Sequence, residues 1–443
     1  MELNVCLVAP PDWERKSIDE ICKKVTSGGT PSRTNRMFYT NGTVNWVKTK
    51  ELGDGFLKAT EELITEEALN ASSAKLLPKN TILLAMYGAT VGKLGILAEA
   101  MACNQACCAL VVSDKYDRDY LFYQLLFHRA QLIGAATGAA QQNLSATQIK
   151  QFTLPFPNLH LQRLIGALLR ALDDRIDLLK ETNTTLEAIA QAIFKSWFVD
   201  FDPVHAKQQG VECAGIDKAT ADLFPSSFVQ SELGLIPEGW QVVRVGDVVD
   251  CVGGGTPSTK TESFWKPEAH CWTTPKDLSG LTSPILIETD RKISELGLKK
   301  ISSGLLDKGT LLLSSRAPIG YLAIAQCKVA INQGYIAITD RSKLPPTYML
   351  FWCRIYMELI KGSANGSTFM EISKNVFRNL PLVFPAEEVI ARFKFTVQPL
   401  FEKMASNVYT AATLSSVRDT LLPRLMSGKL DLSEIEEQLQ GVA

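Results

Sequence analysis

The sequence predicts an α+β fold built from two duplicated mixed α/β domains, each followed by a long helix of coiled-coil character. Two observations carry this prediction. Short motifs recur in the same order at a nearly constant spacing of about half the chain, and apolar residues recur at every seventh position after each mixed segment. The chain has 443 residues, of which 46% are hydrophobic and 21% are charged. This balance is typical of globular proteins, and the length predicts roughly two to four domains.

The repeat is clearest in a glycine-rich loop. Gly28–Ser32 reads Gly-Gly-Thr-Pro-Ser and recurs as Gly254–Ser258 in the second half. Three further matches keep the same order: Trp46 with Trp272, Asn104-Gln105 with Asn332-Gln333 and, loosely, Leu154–Pro157 with Leu382–Pro385. A period this long excludes a solenoid, so we interpret the chain as a duplicated domain pair.

The first part of each half mixes strands and helices. Thr81–Met86 and Ala109–Val112 are short apolar runs bounded by Gly, Pro, Asn and Ser, which predicts strands. Tyr120–Ile133 has the pattern of a short helix.

The second part of each half is a long helix. In the first half the heptad positions are Ile165, Leu172, Leu179, Leu186 and Ile193, with Leu168, Ile176 and Ile189 beside them. In the second half they are Phe393, Leu400, Asn407, Leu414 and Leu421, with Asn407 as a polar exception that fixes register if helices pair. The alternative is an amphipathic helix packed on its own domain. A helix over residues 159–199 would be about 60 Å long, which is more than such a domain needs.

These patterns divide the chain into six parts. The predicted parts are a first domain (1–157), a central helix (158–203), a polar, irregular linker (204–235), a second domain (236–385), a C-terminal helix (386–429) and an acidic tail (430–443).

Composition restricts the function classes. Met1–Trp13 lacks the pattern of a signal peptide, and no apolar run approaches the ~18 residues of a membrane helix, so we expect a cytoplasmic protein. The net charge is −1, so any basic surface must be local or supplied by partners. We interpret Cys103, Cys107 and Cys108 as small buried hydrophobes rather than metal ligands, and we expect no metal site.

A search for a catalytic centre finds none. The chain has no His-Glu-x-x-His and no Gly-x-Ser-x-Gly. Gly88–Lys93 hints at a phosphate loop, but its two glycines are too close together for one, and the matching Arg316–Tyr321 lacks the lysine. No Gly-x-Gly-x-x-Gly follows a strand, so neither a dinucleotide site nor a methyl-donor site is indicated.

Loop residues that recur between the halves have the chemistry of nucleic-acid contacts. Hydroxyls and cations beside glycines suit phosphates, and groups on loops after strands suit base reading. The candidate contact residues of the first half are Thr30, Ser32, Arg33, Lys48, Lys50, Tyr87, Lys93, Gln141 and Gln142. Those of the second half are Thr256, Ser258, Lys260, Lys276, Arg316, Tyr321 and Ser367. Ordinary turns and surface cations packed along an aromatic side chain are the alternatives.

The Asn-Gln pairs are interpreted differently. Asn104-Gln105 and Asn332-Gln333 are identical in both halves and precede apolar strands. We therefore expect their amides to hold loop backbone.

Taken together, these features resemble a known family. The ordered set comprises a tryptophan that opens each half (Trp13 and Trp240), the Gly-Gly-Thr-Pro-Ser loop, the Asn-Gln pair before a strand, the Leu-Pro-x-Pro exit and the long helix. The C-terminal run Leu422–Leu430 completes it. The set, present twice, resembles the specificity (S) subunits of type I restriction–modification systems over nearly the whole chain.

The resemblance implies two target-recognition domains joined by two antiparallel helices with pseudo-two-fold symmetry. Each domain would read one half of a split site in double-stranded DNA, and the helices would hold the halves at a fixed separation. The subunit would be non-catalytic. Methyltransferase (M) subunits would bind S-adenosylmethionine, and restriction (R) subunits would use ATP and Mg²⁺, so this chain would hold no cofactor. The aromatic end of the first helix, Phe194–Phe198, would either cap the helix pair or receive an M subunit.

Two alternatives remain from the residues alone. One is a scaffold that assembles proteins through its coiled helices without reading DNA. The other is an enzyme whose centre has no recognised motif.

Overall fold

The computed structural model describes residues 10, 12–135, 143–366 and 370–430. The chain forms two compact units. Unit 1 comprises residues 1–176 and 413–443, and unit 2 comprises residues 177–412. Of the predicted acidic tail (430–443), residues 431–443 lie outside the described residues.

The described residues of unit 1 form three small sheets. Its strands are β1 (Glu14–Ser17), β2 (Cys22–Ser27), β3 (Val44–Val47), β4 (Gly55–Leu57), β5 (Leu63–Ile64), β6 (Ile82–Ala85), β7 (Leu94–Leu97), β8 (Ala102–Cys103), β9 (Cys107–Val112) and β10 (Thr153–Phe156). Five strands are ordered β2-β9-β6-β7-β4, three are ordered β5-β3-β8, and β1 pairs with β10. The pairs β4–β7 and β3–β8 are parallel, and the others are antiparallel.

Short capped helices connect these strands. The helices that begin in unit 1 are α1 (Ile18–Ile21), α2 (Glu66–Asn70), α3 (Arg118–Phe127), α4 (Arg129–Gly134), α5 (Ala146–Gln151) and α6 (Leu159–Phe198), with 3-10 turns at Arg36–Phe38 and Thr49–Glu51. The Asp117 side chain caps α3 by accepting a hydrogen bond from the Tyr120 amide. The single helix predicted over Tyr120–Ile133 is two helices, because the backbone of His128 leaves the helical conformation (ψ 13°).

Unit 2 repeats the sheet topology. Its strands are β11 (Phe228–Ser231), β12 (Gly234–Pro237), β13 (Gln241–Arg244), β14 (Cys251–Gly253), β15 (His270–Thr273), β16 (Ile285–Leu286), β17 (Arg291–Ile293), β18 (Leu311–Ser314), β19 (Leu322–Ala325), β20 (Val329–Ile331), β21 (Tyr335–Ile338) and β22 (Pro381–Phe384). The sheets are ordered β14-β21-β18-β19-β16, β17-β15-β20 and β13-β22, strand for strand as in unit 1. The predicted duplication is therefore confirmed at the level of topology.

The remaining helices follow the pattern of the first half from α9 onward, whereas α7 and α8 have no counterpart there. They are α7 (Asp202–Gln209), α8 (Lys218–Ala221), α9 (Val245–Val248), α10 (Pro275–Leu278), α11 (Glu295–Leu298), α12 (Pro346–Ile355), α13 (Met357–Gly362), α14 (Lys374–Arg378) and α15 (Glu387–Met426), with a 3-10 turn at Glu262–Phe264. Among the described residues, no helix combines the length and the apolar character that crossing a bilayer requires.

The stretch expected to be an irregular linker, residues 204–235, is folded onto unit 2. It contains α7, α8 and the β11–β12 hairpin. Val204 and Phe224 are buried in the core of unit 2. The Arg392 side chain donates hydrogen bonds to Asp217 (2.6 Å) and Thr220 (2.7 Å). The apolar residues of this stretch are interspersed with Gly, Pro and Ser and show no sustained helical or strand period, so the sequence did not indicate this packing.

The two long helices, α6 and α15, run antiparallel within each unit. In unit 1, Ile165 and Leu169 of α6 share a core with Leu425 and Met426 of α15. A partly buried ion pair lies nearby, where the Asp173 carboxylate accepts hydrogen bonds from Arg418 (2.6 Å) and from the Tyr123 hydroxyl (2.5 Å). Burying each large apolar side chain contributes about 1.5–3 kcal/mol, so this seam is a substantial part of the core.

In unit 2 the seam contains a polar pair. Asn407 donates a hydrogen bond to the Asn183 amide oxygen (2.8 Å), and Asn183 donates to the Met404 carbonyl (3.1 Å). Both asparagines are nearly fully buried. Asn407 therefore has the seam position predicted for it. Ile189, expected beside the seam, is 45% exposed, and Ala190 is buried instead.

The aromatic end of α6 belongs to the core of unit 2. Phe194, Trp197 and Phe198 are at most 5% exposed, and all three contact Phe393 of α15. Of the two roles considered for this segment, the structure supports a cap on the helix pair.

Candidate nucleic-acid interface

The Gly-Gly-Thr-Pro-Ser loops pack directly onto strand ends. The Gly29 amide donates to the Cys103 carbonyl and the Gly255 amide donates to the Ile331 carbonyl, both at 2.9 Å. A Cβ atom on Gly28 or on Gly254 would lie only 2.0 Å from the same carbonyl oxygens. The glycines thus permit close packing of the loop, and these amides are engaged inside the protein rather than open to a phosphate.

The recurring threonine of each loop is held by the recurring glutamine. The Thr30 hydroxyl donates to Gln105, and the Thr256 hydroxyl donates to Gln333 (2.5 Å). The neighbouring asparagines, Asn104 and Asn332, accept backbone amide hydrogens of their own turns. The expectation that the Asn-Gln pairs have structural roles is confirmed, and the two threonines act as their partners.

Each loop also supports a pair of aromatic rings, which we call the aromatic platform. In unit 1 it consists of Tyr39 and Trp46, with ring centroids 6.1 Å apart. In unit 2 it consists of Trp265 and Trp272, 5.1 Å apart. The indole N–H of the inner tryptophan donates to Gly29 O (3.0 Å) or to Gly255 O (3.2 Å), so both platforms are fixed to their loops in the same way.

On the unit 1 platform the predicted cations are ion-paired. The Arg33 guanidinium lies 4.4 Å from the Tyr39 ring centroid and 5.0 Å from that of Trp46. Glu62 pairs with both Arg33 (2.8 Å) and Lys48 (2.7 Å). Burial alone would raise the pKa of Glu62, but its contacts with Arg33 and Lys48 outweigh burial and lower the pKa.

Two more predicted residues of unit 1 have partners close by. Lys50 pairs with Glu61 (2.5 Å). Ser32 shares a hydrogen bond with Thr34 (2.8 Å). The predicted residues that lie on or beside this loop and its platform are thus Thr30, Ser32, Arg33, Lys48 and Lys50.

The unit 2 platform carries a cation that the sequence analysis missed. The Arg291 guanidinium stacks 3.8 Å from the Trp265 ring centroid and 5.1 Å from that of Trp272. The predicted residues Ser258, Lys260 and Lys276 are exposed. Within the described part of the chain, Lys260, Lys276 and Arg291 form no ion pair.

The loops after the central strands form a second group of predicted residues. In unit 1, Tyr87 pairs through its backbone with Asn143, and in unit 2 Arg316 pairs in the same way with Glu371. Burial raises the pKa of the Tyr87 phenol, which therefore stays protonated at neutral pH. These contacts bring together two loops that are far apart in sequence.

The side chains of this second group differ between the units. Lys93 is held by Asp54 (3.2 Å), which also binds Arg129 (2.5 Å). Arg316 lies 3.5 Å from Glu371 and lines a cleft of about 640 Å³ that also contains Lys361. Tyr321 is half-buried, and its amide donates to Ser314. Gln141, Gln142 and Ser367 lie outside the described residues.

Comparisons with known proteins agree with this architecture. The family description "Type I restriction modification DNA specificity domain" matches residues 10–188 and 237–397, more than half of the chain. The specificity subunit of type I restriction enzyme MjaIX from Methanocaldococcus jannaschii is 27% identical over 441 residues, covering 96% of this chain and 95% of the relative. The HindI specificity subunit from Haemophilus influenzae is 25% identical over 357 residues, covering 70% and 77%.

A solved structure shares the fold. The crystal structure of a type I restriction–modification S subunit from M. genitalium matches with a TM-score of 0.60 at 15% identity, covering 96% of this chain and 98% of that one. The duplicated topology, the two long helices and the family match lead to one conclusion: the chain belongs to the specificity subunits of type I restriction–modification systems, which are non-catalytic components of those enzymes.

Proposed function

We propose that this chain reads a bipartite sequence in double-stranded DNA and directs methylation by partner M subunits and cleavage by partner R subunits. One observation carries the proposal. The two units share the anchoring contacts of their glycine loops, including Gly29–Cys103 and Gly255–Ile331, while the loops after their central strands carry different side chains, Tyr87 in unit 1 and Arg316 in unit 2. A common scaffold with different surface groups suits two readers of different half-sites.

The charge distribution supports binding to a polyanion through a limited surface. The whole chain has a net charge of −1, so long-range attraction by net charge contributes little. Binding would then depend on particular exposed cations, such as Lys260 and Lys276. Each cation that meets a phosphate releases counterions and contributes to a salt-dependent affinity.

The second group of residues is the stronger candidate for reading bases. Arg316 and Tyr87 lie on loops that meet a second loop through backbone pairing, Tyr87 with Asn143 and Arg316 with Glu371. Arginine pairs in a bidentate way with guanine, and carboxylates accept from cytosine. Because these side chains differ between the units, each unit would select its own base sequence.

Partner subunits would supply the chemistry. S-adenosylmethionine would bind to M subunits, while ATP and Mg²⁺ would serve R subunits, all in the cytoplasm where genomic DNA is accessible. This division of labour predicts that the isolated chain, incubated with S-adenosylmethionine and DNA, transfers no methyl groups.

A binding experiment on the complex tests the proposal. The chain is co-purified with its cognate M subunit, and its affinity for genomic fragments is measured by gel shift at two salt concentrations. We expect a subset of fragments to remain bound at the higher salt concentration, because specific contacts persist when phosphate contacts weaken. Absence of DNA binding would favour the assembly scaffold, and uniform loss from all fragments would contradict sequence-specific reading.

A further inference from the structure

The strand that flanks the aromatic platform begins beside a negative charge in unit 1 and with a positive charge in unit 2. In unit 1, Asn45 of β3 pairs with Leu63, and in unit 2 Cys271 of β15 pairs with Lys292. Asn45 and Cys271 are equivalent, because each directly precedes one of the matched tryptophans. The register therefore aligns Leu63 with Lys292, and the preceding residues, Glu62 and Arg291, hold the same position.

Backbone contacts of the residues one position earlier support the alignment. The Glu61 amide donates to the Glu51 carboxylate (2.8 Å), and the Asp290 amide donates to the Asp277 carboxylate (2.9 Å). The spacing between matched residues of the two halves is longer here than at the glycine loop, so the intervening segments differ in length. That difference in length is why a search at constant offset does not pair Glu62 with Arg291.

The two platforms therefore differ in whether their ring-stacked cation is ion-paired. In unit 1 the ring-stacked cation is Arg33 from the loop, and Glu62, the residue directly before β5, neutralises it. In unit 2 the loop position equivalent to Arg33 is Thr259, and the strand itself supplies the ring-stacked cation, Arg291. Within the residues that the structure describes, no carboxylate lies within ion-pairing distance of Arg291.

Stacking leaves the hydrogen-bonding edge of Arg291 available. A guanidinium on an aromatic face keeps its N–H donors in the plane of the group, where they are free to bind an anion. Arg291 is also exposed, whereas Trp272 beneath it is buried. Because the rings hold the side chain, binding an anion orders fewer rotamers than binding to an unsupported arginine would.

We propose that Arg291, held on Trp265 and Trp272, binds a backbone phosphate of the DNA, and that Glu62 closes the equivalent site in unit 1. The inference rests on the DNA reading proposed above. A phosphate is favoured over a base because the platform belongs to the scaffold that both units share. A shared scaffold suits the part of DNA that is the same in every target.

The test uses the complex of this chain with its M subunit and compares Arg291→Gln with Lys292→Gln. Lys292 is the next residue of β17, so its side chain points to the opposite face, and it already pairs with Glu288 (3.4 Å). Affinity for cognate and unrelated duplexes is measured by fluorescence anisotropy across a salt series. We expect Arg291→Gln to weaken binding about tenfold for both duplexes and to lower the salt slope by about 1, with little change in Lys292→Gln.

Each outcome decides a different claim. Unchanged affinity and slope in Arg291→Gln, in a complex that still selects its cognate duplex, would overturn the Arg291 site alone. A loss confined to the cognate duplex would mean a base contact and would also overturn the phosphate assignment. A complex of the unsubstituted chain that binds no DNA would overturn the proposed function together with this site.

A double substitution guards against an effect of unfolding. Thr259→Arg with Arg291→Glu gives the unit 2 platform the arrangement of unit 1. We expect this variant to retain its melting temperature while losing the same salt-dependent affinity as Arg291→Gln. A double variant that keeps full DNA affinity would contradict phosphate binding by Arg291 on the unit 2 platform.

Discussion

At the scale of single residues, carboxylates decide which of the predicted cations are free. Arg33 and Lys48 share Glu62, and Lys93 shares Asp54 with Arg129. By contrast, Lys260 and Lys276 form no ion pair with any described residue. A list of cations from sequence therefore overestimates the positive surface of unit 1 relative to that of unit 2.

The ion pairs of Glu62 with Arg33 and Lys48 predict the effect of removing its charge. Glu62→Gln releases Arg33 and Lys48 from their shared anion, so we expect the complex with the M subunit to bind DNA more tightly and with a steeper salt dependence. The log–log slope should increase by about 1–2, since each released cation can meet one phosphate. Glu14→Gln is the control, because Glu14 also pairs with a lysine, Lys16 (2.8 Å), and the same charge is removed. Equal slopes in the two variants would contradict the claim that Glu62 keeps Arg33 and Lys48 from binding DNA phosphates.

The glycine loops give a second prediction at this scale. In Gly254→Ala the new Cβ would lie 2.0 Å from the Ile331 carbonyl oxygen, whereas in Gly255→Ala nothing lies within 4 Å. We expect Gly254→Ala to lower the free energy of unfolding by about 1–3 kcal/mol and Gly255→Ala to change it little. Thermal and denaturant unfolding of the two variants measure the difference. Similar stabilities would show that the loop does not pack against the strand end as described.

At the scale of elements, the helix seam combines apolar packing with polar contacts, among them the buried pair Asn183–Asn407. The heptad spacing correctly indicated the seam and marked Asn407, which is 2% exposed. Its partner Asn183 is 3% exposed and was not recognised, because a polar residue in a long helix is usually solvated. Only the pairing of the two helices shows that the asparagines meet.

Substitutions of this pair should be strongly non-additive. Asn407→Leu removes the donor to the buried Asn183 amide oxygen, and we expect a loss of about 1–3 kcal/mol in the free energy of unfolding. The double variant Asn183→Leu/Asn407→Leu removes both polar groups, so its stability should return close to that of the unsubstituted chain. A double-mutant cycle by chemical denaturation measures the coupling. Additive losses would mean that the two side chains act independently.

At the scale of the whole molecule, the duplication was the most predictable feature. Recurring Gly-Gly-Thr-Pro-Ser and Asn-Gln motifs predicted two related domains, and the two units have matching strand orders. Such motifs are visible in sequence because backbone packing restricts them to a few residue types, as the close approach of Gly28 and Gly254 illustrates. The heptad positions were visible for a similar reason, since a helix seam accepts few polar residues.

The charged surface was less predictable. Arg291 was missed for two reasons. The number of residues from Glu62 to Arg291 differs from the number between matched residues of the two glycine loops, and strand register cannot be read from composition. The packing of residues 204–235 was missed because the apolar residues of this stretch, such as Val204 and Phe224, are interspersed with Gly, Pro and Ser and show no sustained helical or strand period. In both cases the determining contacts join residues that are distant in sequence, such as Arg392 with Asp217.

The central claim is that each unit reads its own half of the target. The most direct measurement replaces residues 13–157 with the corresponding segment of another specificity subunit and maps methylated sites by methylome sequencing after co-expression with the M subunit. The account predicts that one half of the split methylated site changes while the other half stays as it was. A change in both halves, or in neither, would contradict it.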